Sequence, residues 1–123
     1  MILICTGGRD YSDYEKVHRV LKNSHKIYTD WLQVFVGDAT GADEIVRDWC
    51  KANGVKYTVF NAQWDTHGNP AGPIRNQVMV DAAIHIAPKG KVAGVAFPGG
   101  SGTDHCKHFM KQRGLKVHEV STE

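Results

Sequence analysis

The amino-acid sequence predicts an α/β fold, a Rossmann-like three-layer sandwich around an open five-stranded parallel sheet in the order 3-2-1-4-5. Three observations carry this. Short apolar runs alternate with amphipathic stretches along the whole chain. A glycine-bearing turn follows the first, second and fourth of those runs. Parallel strands joined by right-handed crossovers leave few orders open, and this order reverses its winding between strands 1 and 4.

Taken in order, Ile2 to Cys5 form a continuous apolar strand, followed by the turn Thr6-Gly7-Gly8-Arg9-Asp10. Ser12 or Asp13 caps a helix running to about His25, with Tyr14, Val17, Val20 and Leu21 on its inward face. Residues 32–36 are the second strand, ending in Gly37-Asp38-Ala39-Thr40-Gly41-Ala42-Asp43. The helix after it carries Ile45, Val46, Trp49 and Cys50 at helical spacing and stops at Asn53-Gly54. Residues 56–60 are the third strand. Residues 61–72 hold Asn, Asp, Gly and Pro and read as a long loop, of the kind that often carries function. Pro73 suits the start of a helix to about Ala83, with Ile74, Val78 and Met79 inward; residues 84–91 are ambiguous. Residues 92–97 form the fourth strand. Pro98-Gly99-Gly100-Ser101-Gly102-Thr103 follows, then a helix over Asp104 to Gln112, with Ser101 or Thr103 as its cap. Residues 116–120 are the last strand.

The chain has 123 residues, one domain's worth, and is 41% hydrophobic and 23% charged. A net charge of +2 argues against a nucleic-acid partner. No apolar run approaches the ~20 residues of a membrane span, so no membrane partner is expected. The first residues enter a strand with no basic n-region, so no signal peptide is expected. Cys5, Cys50 and Cys106 are few and scattered, which fits reduced thiols and a cytoplasmic protein.

The fourth-strand turn is the sharpest local signal. Three glycines in four positions leave the backbone nearly bare, and the helix beyond offers free N–H groups and a partial positive charge. Strand, glycine turn and helix in this order make an anion site, most often for phosphate. In the expected sheet all three glycine turns share one edge, and two of them flank the switch point where such folds bind ligands. Around them, Arg9 and Arg75 suit bidentate phosphate binding. Arg75 falls in the first turn of a helix, where the dipole disfavours a cation, so a ligand phosphate would account for it. Asp43 is explained by capping and dipole. Asp38 is not, and it is the candidate for ribose hydroxyls or for a catalytic base. Trp64 and His67 in the long loop could stack on or shield a base. His105, Cys106 and His108 form no metal pattern, since adjacent helical residues diverge and no CxxC or HExxH is present. Neither a metal nor a cofactor is expected.

Five ordered motifs then resemble one family: Gly7-Gly8-Arg9-Asp10-Tyr11, Gly37 to Asp43, Trp64 with His67-Gly68, Ala71 to Asn76, and Pro98 to Thr103. Together they are similar to the YspA-like branch of the SLOG superfamily, which also holds the DNA-processing protein DprA and the Lonely Guy phosphoribohydrolases. The resemblance covers nearly the whole chain. It implies a Rossmann-like domain binding a nucleotide or nucleotide-derived phosphorylated ligand, in proteins of bacteria and their phages that commonly dimerise. It sets Arg75 at the arginine the Lonely Guy enzymes carry before their proline-glycine-glycine turn. Their glutamate, three residues after the turn's threonine, is Cys106 here. The expected function is therefore ligand binding as a sensor or carrier, with N-glycosidic hydrolysis of a nucleoside monophosphate as the alternative. The expected ligand-binding set is Gly7, Gly8, Arg9, Gly37, Asp38, Gly41, His67, Arg75, Asn76, Gly99, Gly100, Ser101, Gly102 and Thr103. Asp38 and Arg75 are the catalytic candidates, and a homodimer is expected.

Overall fold

The computed structural model describes residues 1–122. Five strands, β1 (Ile2–Thr6), β2 (Gln33–Gly37), β3 (Lys56–Phe60), β4 (Val92–Ala96) and β5 (Lys116–Glu119), form one sheet in the order β3-β2-β1-β4-β5. Every pairing is parallel. The crossovers run through α1 (Tyr14–Tyr28), α2 (Ala42–Asn53), α4 (Ala71–Ile86) and α5 (Ser101–Gln112), with a single-turn α3 (Trp64–His67) before α4.

β1 is buried along its whole length, and its alternating side chains feed two cores. Leu3 and Cys5 join Val17, Leu21, Val46 and Trp49 beneath α1 and α2. Ile2 and Ile4 join Met79, Val80, Cys106 and Met110 beneath α4 and α5. The helices are thus fixed on opposite faces by strand alternation alone. The register sets Thr6 beside Ala96, so the turns after β1 and β4 start level with each other.

Several expectations are corrected. The long loop contains α3, and α4 begins at Ala71 rather than Pro73, which occupies its third position. Residues 84–86 extend α4, and a 3₁₀ turn, Lys89–Lys91, leads into β4. α5 begins at Ser101 rather than Asp104. Its N-cap is Gly100, and neither Ser101 nor Thr103 caps it. Tyr14, Ile74 and Val78 are exposed, not inward. In α4 the core is filled instead by Met79, Val80 and Ala83, because α4 is apolar around most of its circumference and its inward stripe is set by the sheet.

Candidate functional site

The three glycine turns meet at the C-terminal edge of the sheet and are hydrogen-bonded to one another. Gly8 N donates to Pro98 O (3.0 Å), joining the turns after β1 and β4. Ala42 N donates to Gly8 O (3.0 Å), and Thr40 Oγ1 to Arg9 O (3.1 Å), joining the turns after β1 and β2. The closeness needs glycine. Gly41 has φ +72°, and a Cβ there would collide with the carbonyl oxygens of Gly8 and Arg9. A Cβ on Gly99 would strike Thr103 Oγ1 and the Gly8 backbone. Gly100 and Gly102 face open space.

A cleft of about 550 Å³ opens between these turns and the first turn of α4. Gly7, Gly8, Arg9, Arg75, Asn76, Gly100, Ser101, Gly102 and Thr103 all line it, as the sequence reading expects. Gly37, Asp38, Gly41, Gly99 and the exposed His67 stand outside its lining. A wider hollow of about 890 Å³ is lined by α1, α2 and the 3₁₀ turn Thr29–Trp31 and lies away from every glycine turn, so the smaller cleft is the candidate site.

The N-termini of α2, α4 and α5 all reach the cleft, and none carries a side-chain cap. In α5 the N–H groups of Ser101, Gly102 and Thr103 are the first three of the helix and have no intrahelical acceptor. Three convergent helix ends make the cleft's backbone electropositive.

The charged side chains sort differently. Arg75 Nη1 donates to Asp38 Oδ1 (2.7 Å) and to Phe60 O (3.2 Å), while Nε donates to Asn76 Oδ1 (2.9 Å). Asn76 Nδ2 in turn donates to Gly102 O (3.3 Å). Asp38 Oδ2 accepts from Ala62 N (3.3 Å). With α4 starting at Ala71, Arg75 is its fifth residue, past the first turn, and is paired with Asp38; the chain of bonds ties α4 to the ends of β2 and β3 and to the start of α5. Across the mouth, the Arg9 guanidinium lies 5.2 Å from the centroid of Trp64, an aromatic–cation contact bridging the first turn to α3.

Thr6, Asp10 and Asn69 also line the cleft outside the expected set, and two buried or half-buried titratable groups were missed with them. Asp43 is 5% exposed and lines the cleft. Burial raises its carboxyl to about 6, against the lowering pull of Arg75, the Ala39 N–H and Arg47. Its place at the start of α2 supplied a sufficient dipole explanation and so hid it. His105 also lines the cleft, with its ring edge-on to Phe109 and its Nδ1 buried without a partner. Cys106 points into the core. Burial pushes its thiol up to about 11, which leaves it protonated and inert at neutral pH. Among the described residues no group of three or more potential ligands could hold a metal ion.

A family model, YAcAr, described as the YspA, cpYpsA-related SLOG family, matches residues 1–67. The chain belongs to this SLOG family. The SLOG match ends at α3, so it holds the first two glycine turns but not the β4 turn. Over 94% of the chain it is 32% identical to the Gene 61 protein of Mycobacterium phage D29, covering 92% of that relative. Its fold is similar to that of DNA processing protein A (DprA) from Streptococcus pneumoniae, with a TM-score of 0.56 at 17% identity. That likeness covers 94% of this chain but only 57% of the DprA chain.

Proposed function

We propose that the cleft binds the phosphorylated end of a nucleotide or nucleotide-derived ligand, as a sensor or carrier. The observation that carries this is the convergence of three uncapped helix N-termini on a glycine-walled cleft. The phosphate rests on the N–H groups of Ser101 to Thr103, with the Ser101 and Thr103 hydroxyls beside them. The sugar lies toward Gly7 and Gly8, and the base toward Trp64 and Arg9. Asp38, Arg75 and Asn76 act by positioning: their bonds fix the walls.

Ser101→Pro tests this sharply. Proline suits the first helical position, so the fold is kept, but one N–H and one hydroxyl are lost. Calorimetry should show weaker binding of a nucleoside monophosphate and unchanged binding of the matching nucleoside. Equal binding of the monophosphate by both proteins would move the phosphate elsewhere.

Hydrolysis of an N-glycosidic bond is the second reading, favoured by Asp43. A buried carboxyl with a value of about 6 inside the cleft is placed to carry a proton to a leaving base. Base release unchanged by Asp43→Asn would remove it. Self-association belongs to the same proposal. Ile74 and Val78, one helical turn apart on α4, are exposed and offer an apolar contact for a second copy. Sedimentation should show dimers at high micromolar concentration that Val78→Asp dissociates.

A further inference from the structure

The geometry points to a second functional surface: the N-terminal edge of the sheet is a docking face for an anionic lipid membrane. A parallel sheet brings every strand start and every last helical turn to one edge. Here that edge gathers Lys26, Lys51, Lys56, Lys89, Lys91 and Lys116, all exposed. Lys56 and Lys116 begin β3 and β5, Lys89 and Lys91 bound the turn into β4, and Lys26 and Lys51 lie in the last turns of α1 and α2. Among the described residues none of the six has an ion-pair partner. The carboxylates nearby are Asp30 and Asp48, both exposed and lining one hollow with Lys26, and Asp81, which is held by Arg113.

The same edge exposes large apolar side chains. Trp31 is 80% exposed, Ile27 70% and Ile86 62%. Ile27 lies near the end of α1, Trp31 in the 3₁₀ turn before β2, and Ile86 is the last residue of α4. The helix dipole accounts for Lys26 and Lys51. It does not account for lysines at strand starts, nor for bare tryptophan and isoleucine among them.

Lysines around protruding tryptophan and isoleucine are the chemistry of an interfacial anchor. The apolar groups enter the headgroup boundary, and the ammonium groups are drawn to anionic headgroups. A nucleic acid strand would also attract the charge. It offers nothing to Ile27 and Ile86, however, and no unpaired arginine stands on this edge to fork onto phosphates. Among the described residues no helix is long and apolar enough to cross a membrane, so the contact is peripheral. Docked this way, the nucleotide cleft at the opposite edge faces the aqueous phase.

The test is cosedimentation of the full chain with vesicles of phosphatidylcholine, with and without phosphatidylserine. Binding is expected only with phosphatidylserine, released by salt, with a blue-shifted tryptophan emission that disappears in Trp31→Phe. Lys56→Glu/Lys91→Glu/Lys116→Glu should weaken binding about a hundredfold from the three attractions lost, and further from the three repulsions gained. Lys89→Glu/Lys91→Glu, which leaves the edge strands untouched, is the second variant should the triple one fail to fold. Equal binding to neutral vesicles, or wild-type binding by a folded lysine variant, overturns the proposal. So does indifference to vesicles with lysine-dependent binding of a single-stranded oligonucleotide. Thermal shift with a nucleoside monophosphate reads the cleft separately and should be the same for all variants.

Discussion

At their C-terminal ends the strands of the sheet's centre hand over to glycine turns bonded to each other. At their N-terminal ends the strands start from lysines, exposed single turns and bare apolar side chains. One rule produces both ends. Parallel strands with right-handed crossovers place all the helix N-termini on one edge and all the helix C-termini on the other. The first edge is electropositive through its backbone and tolerates buried carboxyls such as Asp43. The second is basic through its side chains. A net charge of +2 for the whole chain conceals that division. The difference teaches that the two edges answer to different residues: tight main-chain packing at one, exposed side chains at the other.

The largest effect that would break this comparison comes from two glycines, one per edge. Gly41 and Gly54 share a positive φ, +72° and +65°. Gly41→Ala adds a collision with two carbonyl oxygens to the backbone strain, and should cost about 3 kcal/mol or more. Gly54→Ala meets nothing within 4 Å and should cost roughly 1–2 kcal/mol. Urea denaturation measures both. Equal losses would mean that the C-terminal edge is not the tightly packed one.

Much of this was legible in the sequence because the signals were local. The strands, the sheet order and the clustering of glycine turns follow from apolar runs, crossover handedness and the bare backbone of Gly99, Gly100 and Gly102. Partnerships between distant residues were not legible. Arg75 carried the expectation of a ligand phosphate, and its pairing with Asp38, 37 residues away, left no local trace in the chain. Asp43 had a complete local explanation, and only the cleft showed that it is a buried acid. Ile74 and Val78 were expected inside because α4 is apolar on several sides, and periodicity cannot choose among them. The lysine edge is invisible in sequence, since its members are scattered from residue 26 to residue 116.

The next effect is at Arg75. Arg75→Ala removes a pair whose side chains are 9% and 30% exposed and leaves Asp38 without its cation. Hydrogen bonds to charged groups place the loss at about 1.5–3 kcal/mol. With Arg75 fixing the walls through its bonds to Asp38, Phe60 and Asn76, a nucleoside and its monophosphate should lose affinity together. A loss confined to the monophosphate would return Arg75 to direct contact with phosphate.

Asp43 gives an effect of similar size that depends on pH. Its carboxyl sits at about 6 when folded, above an unfolded value of about 3.9, so the fold favours the protonated form. Between about pH 4 and 6 the native state holds more protons than the unfolded one, so stability falls as pH rises through that window and levels off above it. The full drop is about 2–3 kcal/mol. Asp43→Asn keeps an oxygen for the Ala39 N–H, should flatten the slope, and should be more stable than the parent at neutral pH. Denaturation midpoints at pH 4.5 and 7 compare the two proteins. Parallel pH profiles would show that the carboxyl is ionised in the fold throughout.

The smallest effect is expected at the other edge, and it separates a surface that holds the fold from one that only meets a partner. Trp31 is exposed, and it is tied to the fold through its backbone: its carbonyl accepts from the Met1 nitrogen at 2.8 Å. A side chain that packs on so little contributes little, so Trp31→Ala should leave unfolding free energy within about 0.5 kcal/mol of the parent. Trp49, by contrast, lies in the core with Val46 and Cys50, and its truncation should cost about 3–5 kcal/mol. A denaturant series on both variants gives the contrast directly. If Trp31→Ala destabilised the chain as Trp49→Ala does, the exposed tryptophan would be part of the packing, and the N-terminal edge would lose its claim to be a surface kept for contact.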